Sequence, residues 1–363
     1  MAHSASMIAT KQHIRFCKTP DGVKLAYASS GKGPPIVKVA NFLNHLEFDW
    51  QSPVWRQWLD ALSRDHTFIR YDQRACGLSD WEVSDISFEA WVSDLETVVD
   101  ALGLERFPLL GMSQGAPIAI AYAARHPERV SHLVLYGGYA RGLLRRNPTP
   151  QQIEEAQTMV KLAELGWGRD NPAFRQFFTT QFIPGGTPEQ HNWWNELERV
   201  SISPENAVRF MRTLGQIDVS ALAPQIRCPT LVLHATGDAR VPFEEGRLLA
   251  GLIPDARFVS LASRNHVLLE DEPAWRVWFD EVNAFLPGAR AEAAAFPNLT
   301  PRERDIVEWI ARGSDNAQVA AQLSLNEKTV RNHITSIFAK LEVENRSQAI
   351  VLARDAGFGK KPT

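Results

Sequence analysis

Cysteine is scarce in this chain: Cys17, Cys76 and Cys228 are the only three in 363 residues. They are too few, too scattered and odd in number for a disulfide framework, and none falls in a CxxC or Cys/His cluster, so a reducing compartment and no metal or other cofactor are expected. Long apolar runs are missing too. Nothing approaches the ~20 residues that span a bilayer, and the opening "MAHSASMIATKQHIR" lacks the apolar core of a signal peptide. A cytoplasmic protein with no membrane partner is expected. Charge of one sign is not in surplus: 39 Lys and Arg against 42 Asp and Glu give a net charge of -3, no general invitation to nucleic acid. Internal repeats and low-complexity tracts are absent. What is present, 44% hydrophobic and 22% charged residues, suits a packed globular protein.

The charge is not evenly spread. Residues 298–363 carry ten Lys/Arg and eight Asp/Glu, net +2, which leaves -5 for the remainder. From about 14 to 139, strand-like runs such as "IVKVANF", "TFIRYD" and "PLLGMS" alternate with helix-like "SFEAWVSDLETVVDALG" and "APIAIAYAARHP". That alternation predicts βαβ units and a mainly parallel, doubly wound sheet. It resumes at "PTLVLHATGD" and "ARFVSLAS" and closes on the helical "EPAWRVWFDEVNAFL". Between the halves, about 141–223, lies an aromatic-rich helical insertion expected to cap the strand ends, where α/β folds bind ligands. Trp167, Phe178, Trp193 and Trp194 of this cap, with Asn41, are the candidate ligand-pocket residues. Residues 289–298, Ala-rich and bounded by Pro, read as a linker.

"GMSQG" at 111–115 follows an apolar run and precedes a helix, the pattern of a nucleophile elbow in which Ser113 sits on a strained strand-to-helix turn. "LVLHATGDARVP" places Asp238 just after a strand, and "SRNHVLLEDEP" places His266 in a loop 28 residues later. The order Ser, acid, His is the one this turn requires. His266 would accept the Ser113 proton, and Asp238 would hold the imidazole tautomer and stabilise its charged form. On these three markers, and on "RYDQRACGLSD" with Ala75 where a glycine is usual, residues 12–288 resemble an α/β-hydrolase. The resemblance implies an oxyanion hole of two backbone N–H groups, assigned to Gln114 and Phe42. It also exposes a departure, because Ala40-Asn41 stands where the family has His-Gly. The stretch "HLEFDWQSPVWRQWL" behind it is similar to hydrolase-like modules that some bacteria fuse to regulatory domains.

The last segment, 299–363, reads as four short helices. Thr300, Pro301 and Glu303 form a helix-opening signature and Gly313 closes that helix. "NAQVAAQL", a turn "SLN" and "EKTVRNHITSIFAKL" follow, then "SQAIVLARDAG". In the third helix Val330, Ile334, Ile337 and Leu341 recur at helical spacing and predict one buried face. The opposite face carries groups suited to phosphates or base edges, as a recognition helix does. "LTPRE", "VAAQLSLNEKTVRNHITSIFAKLEVENR" and "QAIVLAR" resemble the LuxR/NarL-type helix-turn-helix over nearly its whole length. The resemblance implies base-facing roles for Arg331, Asn332 and Thr335 and phosphate contacts for Lys328, Thr329 and Lys340. It further implies a homodimer formed through the last helix, about 347–356, on double-stranded DNA.

Together these features resemble a bacterial α/β-hydrolase fused to a LuxR-type regulator. The expected function is ligand-responsive transcription regulation, with a small, largely apolar molecule bound under the cap and the protein at the nucleoid when DNA-bound. The alternative is an active serine hydrolase, an esterase or lactonase, whose turnover makes or ends the signal.

Overall fold

In the computed structural model, described for residues 11–286, 296, 298–323, 325–356, 358 and 359, the chain divides into two compact units, 1–286 and 287–363. The first unit is built on eight strands: β1 (Gln12–Lys18), β2 (Lys24–Ser30), β3 (Pro35–Lys38), β4 (Thr67–Tyr71), β5 (Phe107–Met112), β6 (Val130–Tyr136), β7 (Thr230–Ala235) and β8 (Arg257–Leu261). Their order across the sheet is β1-β2-β4-β3-β5-β6-β7-β8. The β1–β2 and β2–β4 pairs are antiparallel, and every later pair is parallel. The central strand β5, "FPLLGM", is buried at every position, the continuous apolar pattern of a parallel strand covered on both faces.

The helices of the first half are α1 (Leu46–Asp49), α2 (Trp55–Asp65), α3 (Phe88–Ala101) and α4 (Gly115–Arg125). In α2, Trp55, Trp58, Leu59 and Leu62 are buried at i, i+3, i+4 and i+7, the apolar stripe that lays a helix on a sheet. Helix α4 is apolar all round, with nine of its residues, 115 to 123, buried.

The cap consists of α5 (Pro150–Gly166), α6 (Ala173–Phe182), α7 (Pro188–Ser201) and α8 (Pro204–Gln216). Helices α5, α7 and α8 each open with Thr or Ser at the N-cap and Pro next: Thr149-Pro150, Thr187-Pro188 and Ser203-Pro204. The hydroxyl satisfies an orphan N–H, and Pro lacks the N–H that would otherwise go unpaired. The cap leaves and rejoins the core through one neck. There Arg141 bridges Asp218, Gly142 N–H donates to the Ile217 carbonyl at 2.7 Å and Val219 N–H to that of Ala140 at 2.9 Å. Arg141 also pairs with buried Glu245 at 2.9 Å. Glu245 belongs to α9 (Phe243–Leu252), and α10 (Pro273–Phe285) completes the unit by packing Trp278 against Trp58.

Among the described residues the second unit holds four helices: α11 (Pro301–Ala311), α12 (Asn316–Leu323), α13 (Glu327–Leu341) and α14 (Arg346–Asp355). Its core holds Ile306, Ile310, Val319, Val330, Ile337 and Ala353. Most of the sequence read as a linker, 289–295 and 297, lies outside the described residues. Phe296 does not behave as linker: it is buried in this helical core, 5.5 Å from the Phe358 ring, and its carbonyl accepts from Arg304.

Candidate active site and nucleic-acid interface

Ser113 joins β5 to α4 at φ +51°, a left-handed conformation that costs an L-residue on the order of 1 kcal/mol and persists where the surroundings enforce it. The enforcement is close packing of α4 on the strand. A Cβ at Gly111 would fall 2.8 Å from Ala116 Cα, so glycine there lets the helix begin immediately after Ser113.

Asp238 follows β7. Its Oδ1 accepts from Arg240 and Val241 N–H at 2.8 and 2.9 Å, and its Oδ2 accepts from His266 Nδ1 at 2.7 Å. A carboxylate accepting at Nδ1 makes that nitrogen the N–H and leaves Nε2 as the base. Burial works to raise the Asp238 carboxyl, but the His266 imidazole and the Val241 N–H outweigh it and hold the group below its ordinary value. Behind the pair, Gly137 ends β6 at φ +57°, and a Cβ there would lie 3.1 Å from His266 Cε1. The His266 loop is also tied to the cap: the Phe182 carbonyl accepts from the N–H groups of both His266 and Val267, at 2.8 and 3.1 Å.

Ser113 and His266 line one cavity of about 20 Å³, room for about one water. Its walls are otherwise mostly apolar, with Trp55, Met112, Tyr136, Phe182 and Trp194 among them. Of the five pocket residues expected from sequence, Asn41 and Trp194 line this cavity. Trp167, Phe178 and Trp193 do not: Trp167 is buried with its ring 5.8 Å from Phe42 and 5.2 Å from Phe178, and Trp193 stacks on Phe48 at 5.0 Å. The two tryptophans join cap to core, and Phe178 packs within the cap. Conversely Trp55, Phe182 and Tyr136 went unpredicted, because helical or strand spacing marks a buried face without saying which cavity it meets.

The oxyanion donors need a correction. Phe42 N–H does not stand open, for it donates at 2.6 Å to the side-chain Oε1 of Gln114. Gln114 N–H, at the start of α4, has no acceptor among the described residues. Asn41 is held from behind: Lys38, buried on β3, donates from Nζ to Asn41 Oδ1, and Asn41 Nδ2 donates to the Phe42 carbonyl at 2.9 Å. Burial pushes the Lys38 ammonium down to about 8, against the pull of the nearby Asp49. A lysine inside the run "PIVKVA" was the visible signal for this network.

In the second unit, Asn326 caps α13 by accepting from Thr329 N–H at 2.8 Å. Val330, Ile334, Ile337 and Leu341 are buried as their spacing predicts. Lys328, Arg331, Asn332 and Thr335 are exposed, and the Arg331 guanidinium has Glu327 one turn away at 3.6 Å. Two of the DNA-facing expectations change. The Thr329 hydroxyl donates to Asn326 Oδ1 at 2.9 Å and so serves the helix cap. The Lys340 ammonium is taken by Glu303 of α11, with Nζ 2.6 and 2.9 Å from the two carboxylate oxygens. Glu303 is buried, which alone would raise its carboxyl. Lys340, Thr300 N–H and Ser336 overcome this and hold it down at about 2.

Among the described residues no helix is long and apolar enough to cross a membrane, and no cluster of three His, Cys, Asp or Glu could hold a metal ion.

The chain is 29% identical over 272 residues to the AB hydrolase superfamily protein YisY of Bacillus subtilis, which covers 71% of this chain and 94% of that protein. Among solved structures it is similar to an esterase from Exiguobacterium antarcticum (TM-score 0.63, 22% identity, 74% of this chain and 98% of that one). It is also similar to the enol-lactonase from Burkholderia xenovorans LB400 (TM-score 0.62, 22% identity, 75% and 99%). At that identity the structures speak to fold alone. Residues 46–185 match the alpha/beta hydrolase fold family, and residues 297–353 match the luxR family of bacterial regulatory proteins. The chain thus joins a domain of the alpha/beta hydrolase fold to a DNA-binding domain of the luxR family of bacterial regulatory proteins.

Proposed function

We propose that the protein is a one-component transcription regulator: a small, largely apolar molecule binds beside Ser113 under the cap, and occupancy changes how the C-terminal domain binds double-stranded DNA. The observation that carries this reading is the small, mostly apolar cavity beside Ser113, about 20 Å³, whose wall includes a cap residue, Phe182, that also hydrogen-bonds the His266 loop. A ligand larger than a water presses on that cap residue, so binding is expected to shift the cap. A ligand shifts an equilibrium between two shapes only by its difference in affinity for them, and a cap that shifts supplies two shapes. The protein is expected to act in the cytoplasm, at the nucleoid when DNA-bound, as a homodimer joined through α14.

The test begins with an operator fragment selected from a random DNA pool. Affinity for that fragment is then measured with and without short-chain esters, lactones and their acids. Identical binding curves across the whole set would sink the sensing reading.

A second reading, a slow serine hydrolase acting on esters or lactones, is favoured by the 2.7 Å His266–Asp238 bond beside Ser113 on its strained turn. The esterase and the enol-lactonase share the fold. A burst assay with p-nitrophenyl acetate on wild type and Ser113→Ala separates the two readings. If Ser113→Ala abolishes both the burst and regulation, acyl transfer belongs to the signal; if regulation survives, Ser113 is a binding hydroxyl.

A further inference from the structure

Gln114 follows Ser113, and its side chain is buried between two partners. Its Oε1 accepts from Phe42 N–H at 2.6 Å, and its Nε2 donates to Gln73 Oε1 at 3.0 Å. Gln73 is fully buried as well, and its own Nε2 has no partner among the described residues. Two side-chain amides that meet can exchange two hydrogen bonds. These exchange one, because Gln114 Oε1 is turned toward Phe42. The pair therefore has two arrangements: Oε1 on Phe42 N–H with Gln73 Nε2 unmet, or Oε1 on Gln73 Nε2 with Phe42 N–H free.

We propose that the Gln114 side chain is an internal occupant of the oxyanion hole, holding Phe42 N–H until a ligand carbonyl displaces it onto Gln73. This rests on the reading that Ser113 faces an acyl ligand. The exchange conserves hydrogen bonds: Phe42 N–H passes from one carbonyl to another, and Gln114 Oε1 gains the waiting Gln73 Nε2–H. No bond to Ser113 need form. The consequence is selection by chemistry. Esters, lactones and amides present the oxygen that Phe42 requires, whereas a hydrocarbon of the same size leaves the occupant in place.

The experiment compares full-length wild type, Gln114→Met and Gln114→Glu in hydrolysis of p-nitrophenyl acetate, with a fluorophosphonate probe to count reactive Ser113. Gln114→Met keeps the volume and removes the competitor. Since ending the competition for one neutral hydrogen bond is worth up to about tenfold in affinity, kcat/KM is expected to rise by roughly that factor. The rise belongs in KM, because competition for Phe42 N–H ends once the carbonyl is bound. Gln114→Glu offers Phe42 a charged acceptor, and kcat/KM is expected below wild type; it carries the test if the methionine variant loses its fold by circular dichroism. A folded Gln114→Met with unchanged or lower kcat/KM, a gain confined to kcat, or a Gln114→Glu as fast as wild type overturns the proposal. If neither label nor turnover depends on Ser113 in any of the three proteins, the acyl reading itself falls, and the proposal with it.

Discussion

Gly137 measures how little room the His266–Asp238 pair has. With φ at +57° and His266 Cε1 and Nδ1 at 3.1 and 3.3 Å from where an alanine methyl would sit, Gly137→Ala forces the imidazole to give by a few tenths of an ångström. The variant is expected to lose about 1 kcal/mol of stability from the left-handed backbone. Fluorophosphonate labelling of Ser113 should slow roughly tenfold, since a displacement of 1 Å can cost about 10². Unchanged labelling would mean that His266 is not held where the geometry puts it. The places of Ser113, Asp238 and His266 beyond β5, β7 and β8 were legible in sequence because a strand-like run precedes each of them in a repeating βα pattern. The partner of Phe42 N–H was not legible: Gln114 lies 72 residues away, and only the folded chain decides whether its side chain or its backbone faces the hole. Lys38 escaped notice although it stands as a charge in an apolar strand, and what it holds, Asn41, emerges only in three dimensions.

At the scale of the element, α13 holds its cations in two different settings. Lys328 is exposed and free to meet a phosphate, so Lys328→Ala should weaken DNA binding at every sequence and reduce the slope of log K against log salt by about 1. Arg331→Ala should instead relax preference at one base position, costing about 1–3 kcal/mol there, as read by competition among operator variants. Lys340 ties α13 to α11 through Glu303, and its loss should appear as a lower melting temperature rather than a changed salt slope. The same pair sets an acid limit. The Glu303 carboxyl is held at about 2 in the fold against an ordinary 4.5, so its stabilisation is complete above about pH 4.5 and is lost as pH falls from there toward 2. Glu303→Gln should destabilise the helical unit by about 1–2 kcal/mol near neutral pH and flatten its stability across that acid window. A steep acid transition retained in the variant would reject the pair as its cause. Sequence revealed Glu303 as a capping-box residue, and it is one: Thr300 N–H donates to its Oε2 at 2.7 Å. Its second role escaped notice because a polar stripe on a helix reads alike whether it meets water, a phosphate or a neighbouring carboxylate.

For the whole molecule, two units with separate apolar cores are expected to melt as two transitions in calorimetry, and Glu303→Gln should move one of them alone. On α14, Val351 is 60% exposed and Leu352 38%, an apolar pair suited to a partner copy. Val351→Asp should shift sedimentation toward the monomer and weaken binding to a two-half-site operator far more than to a single half-site. The division into a sheet domain and a helical tail was readable from periodicity alone, as was the place of the cap. Its inner surface was not, since Trp167 and Trp194 look alike in sequence and part company only when packed: one against Phe42, the other against the cavity. The neck at Arg141 and Asp218 has a consequence of another kind. Because the insertion begins and ends on adjacent, hydrogen-bonded backbone, lengthening the segment between its two ends adds closure entropy only logarithmically. The cap is therefore expected to accept insertions within its own loops, whereas its exchange as a block is limited to segments that remake the Phe182 bonds to the His266 loop and the Trp167 and Trp193 contacts with the core.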